Sequence, residues 1–337
     1  MIARRLTSQL LAGSPARDPV AVAERLLAIQ AQDARGARLA VRARTRGVAA
    51  ADVDRALTDD RTLVITWLNR GTLHLVRSED YAWLHALTTP PLFASSARRL
   101  SQEGVPPRAA ERGVDAIVRA LAEEGPLTRE RLRERVSAAR VRTEGQALIH
   151  ILALASHRGL IVRGPMAGGR QAYALVRDWL GEQKRVDRDV ALAELARRYL
   201  AGHGPADHRD LAKWAGLPLR DARAGLGAIA GELESGDGLV DLVRRRPAAK
   251  LPPPRLLGAF EPVLLGWKSR EPVLGRHERR VVSGGLFRPF ALARGRAVAT
   301  WGISGGEVAI EPFGRMPRED SAALAKDAAA VLRFLGL

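Results

Sequence analysis

The chain has 337 residues, 46% of them hydrophobic and 27% charged, the proportions of a folded globular protein holding two or three domains at about 150 residues each. It has no cysteine, which excludes disulfides, iron–sulfur clusters and thiol nucleophiles, and its three Tyr and six Phe are too few for a platform that stacks single strands. Lys plus Arg number 54 against 37 Asp plus Glu, and this net charge of +17 calls for a polyanionic partner, nucleic acid or an acidic membrane surface.

In chain order, Arg4–Ala12 has helical spacing, and Thr7, Ser8 and Gln9 break the apolar stretch that a signal peptide requires. Pro19–Ile29 and Ala50–Leu57 are also spaced as helices. Leu63–Leu68 and Thr72–Val76 read as strands joined by the turn Asn69-Arg70-Gly71, and Ser78 is placed to cap a short helix, Glu79–Leu87. Helices followed by a two-stranded wing predict a winged helix over residues 1–105.

Residues 106–184 repeat the order. Ala109–Glu123 is helical, Thr128 caps the next helix, Thr143–His157 is a longer helix, and Leu160–Arg163 and Gln171–Val176 are strands flanking a loop with Gly168-Gly169. The longest nearly apolar run, Ala147–Ala155, falls far short of the ~18 residues that span a bilayer. Residues 185–250 repeat the order again, with helices at Val190–Leu200, Arg209–Trp214 (capped by Asp207) and Leu219–Ala230, then strands around Glu232–Glu234 and Leu239–Val243. The string Gly125-Pro126-Leu127-Thr128 aligns with Gly204-Pro205-Ala206-Asp207, each leading through a cap to Leu132 or Leu211. Pro252-Pro253-Pro254 marks a linker. Residues 251–337 then hold short strands at Val281–Ser283, Phe290–Ala293, Ala297–Trp301 and Glu307–Ile310 and a closing helix, Pro317–Leu335. The expected class is α+β, mainly α: three tandem winged-helix units plus a small β-rich C-terminal domain.

A winged-helix regulator reads base edges with polar residues on a recognition helix. Here Gln146–Ala155 is mostly apolar, and Leu219–Ala230 offers only Arg220, Asp221 and Arg223, so both helices read as buried scaffold. The charge excess falls in two zones. Residues 1–48 carry nine Arg against three acids, and residues 241–296 carry thirteen basic groups against four acids, which suits a clamp on a duplex. Inside the first zone, Gln30-Ala31-Gln32-Asp33 precedes Arg35, Arg38, Arg42 and Arg44. Residues two apart on a helix diverge, so the two glutamines share a cavity only if the helix ends there; spacing alone favours two solvated residues at a helix end. Asp33 reads first as a helix-end or Arg-pairing residue and second as a base. His150 with His157, and His203 with His208, lack a third ligand at metal spacing, and Gly284-Gly285 and Gly305-Gly306 read as turns.

Arg4–Leu6 with Gln9, Ile29-Gln30-Ala31-Gln32, and Thr66-Trp67-Leu68-Asn69-Arg70-Gly71-Thr72-Leu73-His74-Leu75 resemble the winged-helix DNA glycosylases of the AlkZ and YcaQ type. Tyr199-Leu200, His203-Gly204-Pro205, Lys213-Trp214, Gly284–Pro289 and Thr300-Trp301-Gly302 extend the likeness over nearly the whole chain. The resemblance implies three winged helices in a C-shaped clamp and hydrolysis of the N-glycosidic bond of alkylated purines, including those in interstrand crosslinks, in general repair or in self-resistance to an alkylating metabolite. It implies catalytic residues at Gln30 and Gln32, the second Gln marking the AlkZ branch. It implies DNA contacts at Arg35, Arg38, Arg42, Arg44, Asn69, Arg70, Thr72 and His74, with Arg70 on a phosphate and His74 near sugar or base. The sequence departs from the family pattern at Phe260-Glu261-Pro262, where two adjacent acids are expected.

Glutamines suit that chemistry. An amide is a poor general base, yet it can hold a water in line with C1′ and turn its dipole toward positive charge developing on the sugar. Such modest help suffices when a cationic base, alkylated at guanine N7 or adenine N3, leaves as a neutral one. A crosslinked base is tied to the opposite strand and cannot be flipped into a pocket, so the duplex must be gripped from outside. The expected protein is a monomeric, cytoplasmic, nucleoid-associated monofunctional glycosylase on double-stranded DNA, with no metal, cofactor or membrane. The rival is a dimeric transcription regulator with a palindromic site.

Overall fold

The computed structural model describes residues 1–337 apart from 168, 184, 185, 244 and 246, so Gly168 of the expected loop lies outside the described residues. The fold is mixed α+β, and the chain divides into two compact units, Met1–Val53 with Leu192–Leu337, and Asp54–Ala191.

In the second unit five antiparallel strands run in the order Thr72–Arg77, Leu63–Leu68, Ile161–Ala167, Arg170–Leu175, Leu127–Thr128. All six residues of Leu63–Leu68 are buried, as befits a strand covered on both faces. Helix Ala147–His157 is apolar nearly all round and is accordingly a core helix. It packs against helices Phe93–Gln102 and Pro107–Glu124 and strand Leu63–Leu68. It starts at Ala147 rather than Thr143, because Gly145 turns the backbone into the left-handed region, φ +58°. Thr128 caps helix Arg129–Ala138 through the Arg131 N–H. Ser78 caps nothing: its hydroxyl donates to the Arg61 carbonyl at 2.5 Å, and a single 3-10 turn, Ser78–Asp80, precedes helix Tyr81–Thr88.

In the first unit a four-stranded antiparallel sheet runs Glu307–Pro312, Arg296–Ser304, Phe290–Ala293, Arg255–Leu257. The closing helix Arg318–Leu335 covers it. Leu256, Ala291, Ala299, Trp301, Leu324, Val331 and Phe334 form one core cluster with Leu39. Full burial of each large apolar side chain contributes about 1.5–3 kcal/mol. Leu39 belongs to a helix the sequence reading did not anticipate, Ala34–Arg42, which this core anchors. Asp207 caps helix His208–Ala215 with a reciprocal capping box to Asp210. Helix Leu219–Ala228 corrects an expectation: Leu219, Arg220, Arg223 and Ala224 are exposed, and only one face is buried.

Candidate active site

Helix Pro19–Leu26 is launched by Asp18, whose carboxylate accepts the Ala21 N–H at 2.7 Å, and by Pro19 in its first turn. It ends at Leu26 and not at Ile29, since Leu27 adopts a left-handed backbone, φ +63°. Ile29–Gln30 is then extended, and Asp33 opens the next helix. In extended chain, residues two apart lie on one face. Gln30 and Gln32 therefore converge: Gln30 Nε2 donates to Gln32 Oε1 at 2.5 Å. Gln30 is buried, with 6% exposure, and Gln32 is exposed. The pair is thus brought together by extended chain between two helices, a different device from the expected unwinding helix end.

Asp33 is an N-cap, its Oδ1 accepting the Gly36 N–H. Gly36 is required for a second reason: a β-carbon there would run into the Ala259 carbonyl oxygen, and Gly258 lies against the Gly36 backbone. The segment carrying Gln32 is therefore held by a capped helix whose first turn rests on backbone 258–259.

The four arginines of the expected basic wall part company. Arg35 is exposed. Arg38 is buried and its Nη1 donates to the Ala34 carbonyl at 2.8 Å. Arg42 makes a bidentate pair with Asp327 at 2.5 and 3.0 Å. Arg44 is fully buried: Nε donates to Gln9 O, Nη1 to Ala40 O, and Nη2 to Gln9 Oε1 and to Glu261 Oε1 at 2.5 Å. The expectation of a DNA contact is corrected for Arg42 and Arg44, whose guanidiniums are committed inside the unit. Glu261, noted as a departure from the family pattern, is that buried partner, and its Oε2 has no hydrogen-bond partner among the described residues.

The Asn69–His74 turn lies in the second unit. Asn69 (φ +49°) and Gly71 (φ +77°) form the turn, with Leu68 opposite Thr72 and Thr66 opposite His74. Asn69 is fully buried; its N–H donates to Thr88 Oγ1 at 3.2 Å, and both amide atoms of its side chain lack partners among the described residues, as does Thr72 Oγ1. Arg70 and Thr72 are half-buried. His74 is 2% exposed, with Nδ1 2.8 Å from the Thr72 carbonyl. Burial, and next the Arg70 charge, push its pKa down to about 3, so the ring is neutral at physiological pH. Its face of the hairpin is buried rather than solvated.

A neutral amide pair on extended chain, one member buried and the other open to solvent, can position a water but cannot deprotonate it strongly. The chain belongs to the AlkZ-like DNA glycosylase family, whose sequence model, described as DNA glycosylase AlkZ-like, matches residues 23–334. Membership implies N-glycosylase activity on DNA. The chain is similar to the interstrand DNA cross-link repair glycosylase of Streptomyces sahachiroi, at 30% identity over 366 aligned residues covering 100% of this chain and 96% of that one. Its fold matches the solved structure of the Streptomyces sahachiroi DNA glycosylase AlkZ with a TM-score of 0.79 and 26% identity, over 100% of this chain and 96% of the other. Among the described residues no helix is long and apolar enough to cross a membrane.

Proposed function

We propose that the chain hydrolyses the N-glycosidic bond of cationic N-alkylpurines, N7-alkylguanine and N3-alkyladenine, in double-stranded DNA, and unhooks interstrand crosslinks made through such bases. The observation that carries this reading is the contact of Gln30 with Gln32 on one face of an extended segment. Gln30 fixes Gln32, and the exposed amide of Gln32 holds a water toward C1′ of the damaged nucleotide. The water oxygen bonds to C1′ as the C1′–N bond breaks. The bonding pair goes to the purine, which leaves neutral, and the water proton passes to solvent. An amide pair adds positioning and dipole stabilisation only, so an undamaged purine, which leaves poorly, is spared. The name of the Streptomyces sahachiroi relative supports the inclusion of crosslinks.

Three tandem winged helices, 1–105, 106–184 and 185–250, and a C-terminal domain, 251–337, are the architecture we assign to this activity. Support comes from the recurrence of helices followed by the hairpins Leu63–Arg77, Ile161–Leu175 and Leu233–Leu242. Arg35, Arg70 and Thr72 are the DNA contacts we retain, with Asn69 and neutral His74 shaping the turn that presents them. The protein acts as a monomer on cytoplasmic DNA.

The test is base release from a duplex bearing N7-methylguanine. Gln30→Ala and Gln32→Ala should each slow release on the order of 10²-fold, the scale of removing one preorganised dipole, with little change in duplex affinity. Wild-type release by the double variant removes the mechanism.

A further inference from the structure

The two basic zones of the sequence meet in the first unit, away from the glutamines. At the C-terminal end of helix Ala34–Arg42 a pocket of about 460 Å³ is lined by Arg42, Arg46, Arg255, Asp327, Arg333 and Phe334, among others. Its acceptors are taken. The Asp327 carboxylate receives both Arg42 Nη groups and the Leu256 N–H at 2.7 Å, and the Ala43 carbonyl receives Arg255 Nη1 at 2.5 Å. Its donors are in surplus. Arg46 and Arg333 are exposed and make no ion pair or side-chain hydrogen bond among the described residues. Arg255 has the Ala43 carbonyl as its one hydrogen-bond acceptor among the described residues. Since Asp327 is neutralised by Arg42, the charges of Arg46, Arg255 and Arg333 are left without a counter-charge. Burial holds the Arg255 pKa below the usual guanidinium value; Asp327 opposes this, and Arg44 and Arg42 add to it. Forked donors around a hollow with no free acceptor complement a tetrahedral oxyanion.

We propose that this pocket seats a backbone phosphate of the bound duplex, gripped by Arg46, Arg255 and Arg333. The proposal rests on the DNA-glycosylase reading and extends it. Nine helical residues at about 1.5 Å each separate the pocket from Gln32 by about 14 Å, on the order of four base-pair steps at ~3.4 Å. The helix then serves as a ruler, with a phosphate fixed at one end and the reactive amides at the other. A duplex is favoured over a small anion because Arg46 and Arg333 stand at the open surface and come from a chain with net charge +17.

The experiment is an Arg46→Ala/Arg333→Ala double variant assayed on undamaged duplex. Its affinity should fall about tenfold at moderate salt, and the slope of log affinity against log salt should lessen by about two, one for each phosphate-facing charge removed. Arg46→Lys with Arg333→Lys should restore most of the slope. Duplexes carrying one neutral methylphosphonate at a time should weaken wild-type binding at a position about four steps from the damaged base and leave the double variant indifferent there. An unchanged salt slope, or equal methylphosphonate sensitivity in both proteins, overturns the proposal. So does a double variant that loses inorganic phosphate, titrated by calorimetry, while keeping the wild-type duplex slope, which would assign the pocket to a small anion. Neither arginine has a partner in the fold, so the thermal midpoint should hold. These readouts need no base release. A protein that binds as expected but releases no base sinks the glycosylase reading alone, and failure here leaves base release untouched.

Discussion

The two ends of helix Ala34–Arg42 take similar residue types to opposite fates. At its start Gln32 and Arg35 are exposed, and Asp33 is a cap. Just past its end Arg44 is sealed against Glu261 and Gln9, and Arg42 is clamped on Asp327. Positive charge along the sequence does not tell an arginine that meets DNA from one that holds the protein together. The separation in space does: one end is free to do chemistry because the other is fixed to the C-terminal sheet and to the loop around Glu261.

The largest expected effect breaks the fixed end. Glu261→Gln leaves the Arg44 guanidinium buried without its counter-charge and should cost about 3–5 kcal/mol in urea unfolding. Arg35→Ala should stay within about 0.5 kcal/mol. Replacing both members of the buried pair, Glu261→Leu with Arg44→Met, should be less damaging than Glu261→Gln, because no stranded charge remains. Equal stability of Glu261→Gln and Arg35→Ala would erase the contrast between the two ends.

Much of this was legible in the sequence. The strands Leu63–Leu68 and Thr72–Arg77 were found within one residue, because alternation and a Gly-containing turn are local signals. The caps Thr128 and Asp207 are local in the same way. The end of helix Pro19–Leu26 was not legible, because a leucine, Leu27, takes the left-handed position where glycine usually stands. That single turn converts the glutamines from diverging helical residues to converging extended ones. Helix Ala34–Arg42 was hidden because its arginines read as solvated charge, while their partners lie 217 residues away for Arg44 and 285 for Arg42. No spacing rule reaches that far.

A smaller effect should follow from acid. His203 is fully buried behind the fixed end, its ring stacked on Tyr199 at 4.8 Å between centroids. Burial, with the nearby Arg44, Arg245 and Arg5 charges adding to it and a hydrogen bond to the Tyr199 carbonyl opposing, lowers its pKa to about 3. The folded value lies below the unfolded value of about 6.5, so the unfolded chain binds the proton first. The contribution of the neutral ring is complete above pH ~6.5 and is lost progressively down to about pH 3. At pH 5 the loss is about 2 kcal/mol, from ~1.4 kcal/mol for each pH unit below the unfolded value. His74 and His157, lowered to about 3 and about 4, act in the same sense in the second unit. Urea midpoints at pH 7.5 and pH 5 measure the sum, and His203→Leu should flatten the slope between them. A wild-type midpoint constant over that range would mean that these rings are not held neutral by the fold.

The smallest effect bears hardest on mechanism, because it separates positioning from base catalysis at the free end. Asp33 accepts the Gly36 N–H and adjoins Gln32, so as a cap it should tolerate Asn, whose side-chain oxygen can accept the same bond. Asp33→Ala should cost about 1 kcal/mol and slow base release several-fold by loosening the start of the helix. Asp33→Asn should restore both stability and release, with a rate independent of pH across the carboxylate range. A base at this position behaves otherwise: Asn keeps the stability, loses release as fully as Ala does, and the wild-type rate falls as the carboxylate protonates. That second pattern would move the proton transfer from solvent to Asp33 and reduce the two glutamines to spacers. The first leaves them as the groups that hold the water, with Asp33 fixing the helix against which they are aimed.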